Sequence, residues 1–113
     1  MTKLTHDCNE LIPEFSGIKL CPWESINGMT KVPYCWADEH SWKSKQSDDF
    51  SQILNSVGLA VFDFHPIHIF LNSENAARYE STRSDHKSPK ILINQRFNGF
   101  GTRSRFINLM NTR

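Results

Sequence analysis

Nowhere does the chain run to the ~20 consecutive apolar residues that a membrane-spanning helix needs. Its opening, Met1-Thr-Lys-Leu-Thr-His6, lacks the apolar core of a secretory signal, so a cytoplasmic location is the default expectation. Cysteine is scarce and odd in number, three in 113 residues, which excludes a disulfide-built miniprotein. Cys8, Cys21 and Cys35 have no metal-ligand spacing and read as small buried hydrophobes. H-E-x-x-H, C-x-x-C and a second clustered histidine pair are all missing, so no metal site made by this chain alone is expected. Gly99-Phe-Gly101 lacks the third glycine and the strong preceding strand of a phosphate loop. No internal repeat or low-complexity tract is present, and nothing suggests a coiled coil or a collagen. Acidic residues stop at Asp85: residues 1–85 hold 12 acids against 7 Lys+Arg, and residues 86–113 hold 6 Lys+Arg and no acid. That asymmetry suits either an anion-binding tail or a solvated basic face.

What is present fits one modest domain, 38% hydrophobic and 12% aromatic. Pro13 and Gly17 break the polar opening, which has room for a short helix over residues 6–12. Residues 18–20 give a strand signal, and Ser25-Ile-Asn-Gly28 reads as a turn. Residues 31–36 are a strand candidate that Pro33 confines to an edge. A polar loop is expected over residues 37–48. Ser47, Asp48 and Asp49 offer caps for a helix whose Phe50, Ile53, Leu54 and Val57 make one apolar face. Gly58 suits its end, and residues 59–64 read as a strand covered on both faces. Pro66 should stop or bend that strand. A helix is expected over residues 72–82, a loop over 84–89, a strand over 90–94 and a flexible loop over 98–101. Thr102 then caps a last helix that buries Phe106, Ile107, Leu109 and Met110. Helix, glycine and buried strand in that order suit an α/β fold with parallel strands.

The chemistry concentrates at Phe62-Asp63-Phe64-His65-Pro66-Ile67-His68. A histidine following a buried parallel strand sits at the edge where ligands and catalytic groups gather. Histidine also transfers protons near neutral pH. Asp63, inside an apolar strand, is either functional or hydrogen-bonded, because a bare carboxylate there is costly. His65 and His68 are spaced as H-x-x-H, but Pro66 intervenes and two ligands do not make a metal site. Asp38, Glu39 and His40 follow the other strand candidate. Glu39 and His40 read as a solvated loop, and Asp38 is the open case.

The run Asp63-Phe-His65-Pro-Ile-His-Ile-Phe-Leu-Asn72 resembles the last conserved segment of bacterial polysaccharide deacetylase-like proteins of the NodB-homology family of carbohydrate esterases. The similarity extends from about Gly17 to Met110 and takes in Pro33-Tyr-Cys-Trp-Ala-Asp38, residues 72–83 and Gly99-Phe-Gly-Thr-Arg103. This resemblance implies a distorted (β/α) barrel of roughly twice this length. It implies a divalent metal, zinc, that activates water and polarises the N-acetyl carbonyl of an amino sugar. An aspartate would serve as base, and a histidine near the last strand would protonate the leaving amine. By position that histidine is His65, with His68 the fallback, and Asp38 matches an acidic residue that orients or tunes it. The early Asp-Asp strand end and the His-x-x-x-His metal motif of the family have no counterpart here; Asp48-Asp49 stands at a helix start.

The fold expected is therefore α/β, a partial barrel of the deacetylase type with only its C-terminal strands and helices. Residues 1–113 would be a single domain or domain fragment, inactive alone. Its expected partners are an N-acetylated polysaccharide and an upstream half-domain, with no membrane. An exposed apolar edge should mark the place of the missing strands. A second reading is an anion- or nucleic-acid-binding module using Arg96, Arg103 and Arg105 beside Phe97, Phe100 and Phe106. A third is a complete small hydrolase pairing His65 with Cys35 or Asp38.

Overall fold

The computed structural model describes residues 3–44 and 48–112. Among them, two small sheets and six helices form a mixed α/β arrangement. The first sheet contains β1 (His6–Asp7), β2 (Trp23–Glu24) and β3 (Thr30–Lys31). Its hairpin turns at the expected place: Gly28 N donates to Ser25 O at 2.9 Å. Gly28 takes φ of 80°, a conformation that favours glycine. β2 lies antiparallel to β3 and β1 parallel to it. β1 replaces the helix expected over residues 6–12. So short a helix has a costly nucleus, whereas Thr30 N and Val32 N bond Thr5 O and Asp7 O, each at 2.8 Å.

Residues 18–20 make no strand. Leu20 is a single tether instead: its N–H reaches Val57 O at 2.8 Å and its side chain enters the core. The strand expected over residues 31–36 is split at Pro33, which cannot donate to a ladder. Lys31 closes β3, and Trp36–Ala37 forms β4. β4 pairs in parallel with β5 (Phe62–Asp63), with Trp36 opposite Phe62 and Ala37 opposite Asp63. Residues 61–64 are half-buried rather than covered on both faces, because one face of β5 looks onto a cleft.

Within the expected loop after β4, α1 (Asp38–Ser41) forms one helical turn. α2 (Phe50–Ser56) matches the sequence period, and Asp49 caps it by accepting from Gln52 N at 3.1 Å. Of the other two cap candidates, Asp48 pairs with Arg105 instead, and Ser47 lies outside the described residues. Phe50, Ile53 and Val57 are buried, while Leu54 turns toward solvent. These three join Leu20, Cys35 and Trp36 in the core, with Phe62, Phe64 and Leu109 packed around them. Trp36 is the hub, its ring 5.3 Å from Phe50, 4.8 Å from Phe64 and 6.3 Å from Phe62.

Pro66 ends the strand as expected and starts α3 (Pro66–Leu71) as its first residue, where a missing N–H costs nothing. The helix expected from residue 72 begins later, as α4 (Ala76–Ser81), because Asn72 adopts a left-handed φ of 52° and terminates α3. Residues 90–94 are not a strand. Pro89 opens α5 (Pro89–Leu92), followed by a 3-10 turn at Ile93–Gln95. Only Leu92 of this run is buried, with Ile91 and Ile93 exposed, so it has one inward residue per turn. The last helix, α6 (Thr102–Asn111), packs on α3. Gly101 takes the cap position in place of Thr102, which is fully buried. Phe106 and Leu109 are half-buried, but Ile107 and Met110 face outward. Ile91 and Ile93 are likewise exposed. The radius of gyration, 16.1 Å, exceeds the ~13 Å of a compact domain of this length.

Candidate active site

Two residues that leave adjacent parallel strands meet at the sheet's C-terminal end. Asp38 follows β4 and His65 follows β5. Strand alternation sends Phe62 and Phe64 to the Trp36 core and Asp63 and His65 to the other face. Asp38 is fully buried, and both its oxygens are committed. Oδ1 accepts from His65 Nδ1 at 2.8 Å and from Glu39 N at 2.7 Å. Oδ2 accepts from His65 N at 2.7 Å. The carboxylate thus grips both the backbone and the ring of His65. This fixes the tautomer at Nδ1, so Nε2 is the working nitrogen.

The His65 side chain is 42% exposed and lines the cleft, as the strand-end position predicts. Burial alone would lower its pKa. The hydrogen bond and charge of Asp38, then the charges of Asp63 and Glu39, outweigh burial and raise it above the ordinary histidine value. The ring is therefore held toward its protonated form.

His68 lies deeper, 1% exposed, on the inner side of α3. Its Nε2 donates to Glu39 Oε1 at 3.0 Å, and its Nδ1 meets Ser73 Oγ at 3.2 Å. Both nitrogens are occupied, and the rings of Trp42 and Tyr79 stand 4.7 and 5.5 Å away. Its bond to Glu39 holds that carboxyl below its ordinary pKa, against the opposing effect of burial.

The segments around this site close on one another. Ser73 O accepts from Thr102 N at 2.9 Å and Thr102 Oγ1 at 2.8 Å. Asn72 Nδ2 donates to Phe97 O at 2.9 Å and Gly99 O at 2.8 Å, and its Oδ1 accepts from Ser104 N at 3.2 Å. A methyl on Gly101 would stand 2.1 Å from Asn72 O, so only glycine fits there. The His-Pro-Ile-His and Gly-Phe-Gly-Thr stretches are thus one unit that seats α3, and with it His68.

The cleft holds about 320 Å³, toward the small end of ligand sites. Tyr34, Glu39, His40, Lys43, Asp63 and His65 line it with polar groups. Reading Glu39 and His40 as mere solvated loop is corrected: α1 turns both to the cleft. Lys43 carried no sequence signal that pointed here, and Tyr34 entered only within the resemblance run from Pro33 to Asp38. The two cysteines Cys8 and Cys21 are exposed rather than buried, and Cys35 alone is core. Cys35 is fully buried, its Sγ reaches Val61 O at 3.4 Å, and burial raises its thiol pKa, the opposite of an activated nucleophile. Arg96 Nε donates to Phe70 O, Arg105 pairs with Asp48 at 3.0 Å, and Phe106 packs on Phe64. These bonds leave the nucleic-acid reading without support.

Asp38, His65 and His68 also bring three ligand-type atoms within 4.8 Å of one another. They do not fit the divalent metal of the resemblance. Every oxygen of Asp38 and both nitrogens of His68 are already spent, and a cation would have to displace the Asp38–His65 bond.

No curated protein matches the chain. A solved structure from Bordetella bronchiseptica, WbmS, assigned as a polysaccharide deacetylase involved in O-antigen biosynthesis, superposes with a TM-score of 0.86 at 38% sequence identity. The match covers 96% of this chain and 46% of that one, so the chain spans about half the length of this neighbour. Residues 1–83 match the family model described as WbmS-like polysaccharide deacetylase. The chain belongs to the WbmS-like polysaccharide deacetylase family.

Proposed function

We propose that this chain carries the proton-donating side of a deacetylase that removes N-acetyl groups from amino sugars, with His65 as general acid and Asp38 as the residue that positions it. The observation that carries this reading is the buried Asp38 carboxylate on His65 Nδ1, at the ends of two adjacent parallel strands above a polar cleft. In amide hydrolysis the C–N bond breaks as its electron pair returns to nitrogen, and that nitrogen must take a proton to leave. His65 Nε2–H is placed to give it, and Asp38 holds the ring in one orientation while its charge passes from positive to neutral. The raised pKa favours the protonated form that an acid needs. His68 supports the site through Glu39 and Ser73.

The parallel β4–β5 pair is read as two strands of a (β/α) barrel, and an upstream half-domain as the source of the others and of the metal-activated water. On that reading the chain alone turns over no substrate. Placing this chain in WbmS in place of its matching segment should yield acetate release from N-acetylated saccharide. His65→Gln should lower kcat by about 10²–10⁴-fold with little change in KM. Undiminished turnover in H65Q would refute the assignment.

A further inference from the structure

We propose that Asp63 is a specificity-determining residue of this cleft: its carboxylate receives the charged amino group of a deacetylated amino sugar. The proposal rests on the deacetylase reading and names the product-side chemistry of the same site. Asp63 is the cleft carboxylate that no described residue engages. Asp38 is fully spent on His65 and Glu39 N, and Glu39 is tied to His68. The Asp63 side chain forms no hydrogen bond or ion pair with any described residue, although Lys43 lines the same cleft. Its carboxylate is half-buried and faces the cleft, on the strand face opposite the apolar Phe62 and Phe64.

Register explains why it faces the cavity. Asp63 sits two residues before His65 on the same strand face, and its cross-strand partner is Ala37, whose methyl leaves the space open. Its field reaches His65, Tyr34 and Cys8. A ligand that engages this carboxylate must bring a donor, best a cation, within reach of His65. The amine freed by deacetylation is such a group: it is the atom His65 would have protonated, and it is charged at neutral pH. A neutral N-acetyl group offers one amide N–H and no charge, so Asp63 distinguishes the two states of the sugar.

The test uses the whole chain and three probes: glucosamine, N-acetylglucosamine and uncharged 2-deoxyglucose. Binding is read from the NMR shift of the His65 imidazole in wild type and in Asp63→Asn, which keeps the shape and removes the charge. Glucosamine should bind wild type more tightly than 2-deoxyglucose, and less tightly as salt is added. D63N should weaken glucosamine about tenfold and leave N-acetylglucosamine within twofold. If N-acetylglucosamine moves His65 but glucosamine gains nothing over 2-deoxyglucose, or is indifferent to D63N, this inference is overturned while the deacetylase reading stands. If neither amino sugar moves His65, this inference is overturned, while the deacetylase reading is decided separately by acetate release in the WbmS chimera and its H65Q variant. The wild-type comparison of the three sugars decides the question even if D63N does not fold.

Discussion

Replacing Asp38 by Asn tests the site at its centre. Three donors converge on this fully buried carboxylate: Glu39 N, His65 N and His65 Nδ1. An amide keeps one oxygen and turns a second donor toward groups that are themselves donors. At least one buried N–H then loses its acceptor, at a cost of about 1–3 kcal/mol, and the bonds that remain lose their charge assistance. A loss of about 2–4 kcal/mol is expected, a large share of the stability of a domain this size. The same change removes the main cause of the raised His65 pKa, leaving burial to lower it against the charges of Asp63 and Glu39. The assay is an NMR titration of the His65 ring beside urea melts across pH. In wild type the His65 midpoint should lie above the ordinary histidine value, and in D38N it should fall below that of wild type. The sign follows from linkage. A histidine pKa raised on folding adds stability fully present below the unfolded value, ~6.5, and lost as pH rises through the higher folded value. The melting gap between D38N and wild type should therefore narrow over that window without closing, because the backbone bond from His65 N persists. A D38N protein whose His65 titrates as in wild type would refute the reasoning.

Other tests reach the supporting structure. Leu92→Ala should cost about 2–4 kcal/mol in urea melts and Ile91→Ala under about 0.5, because α5 buries one and exposes the other; equal losses would argue against the helix. Gly101→Ala forces a methyl against Asn72 O and should destabilise by at least about 1–3 kcal/mol, with His68 resonances shifting; an unchanged melt would mean that the approach relaxes freely. Glu39→Gln removes a carboxyl whose pKa His68 holds low. Its contribution is present above the unfolded value, ~4.3, and lost as pH falls through the lower folded value, so wild type and E39Q should converge in acid melts. Divergence there would put the stabilising bond elsewhere.

Local chemistry was legible in the sequence wherever neighbours a few residues apart decide the outcome. Asp49 caps α2 because its carboxylate needs only the N–H three residues on. Ser25 to Gly28 turns because glycine tolerates the required φ. His65 reads as a strand-end histidine because Pro66 must stop the strand that precedes it. The partner of His65 was not legible as a bond. Asp38 stands 27 positions away, and only the parallel register of β4 and β5 makes the two meet at 2.8 Å. Register likewise turned Asp63 to the cleft and Phe62 to Trp36. Residues 90–94 carry strand-forming side chains, yet one inward Leu92 and Pro89 as first helical residue made them helical. Ile107 and Met110 fit a helical stripe but face outward, since only the placement of α6 on α3 decides which side of the helix is inner. Sequence alone determined the local caps, turns and breaks and the kind of chemistry His65 can do. Tertiary structure decided which distant groups share a site, because that depends on strand pairing and packing between segments that no short-range pattern encodes.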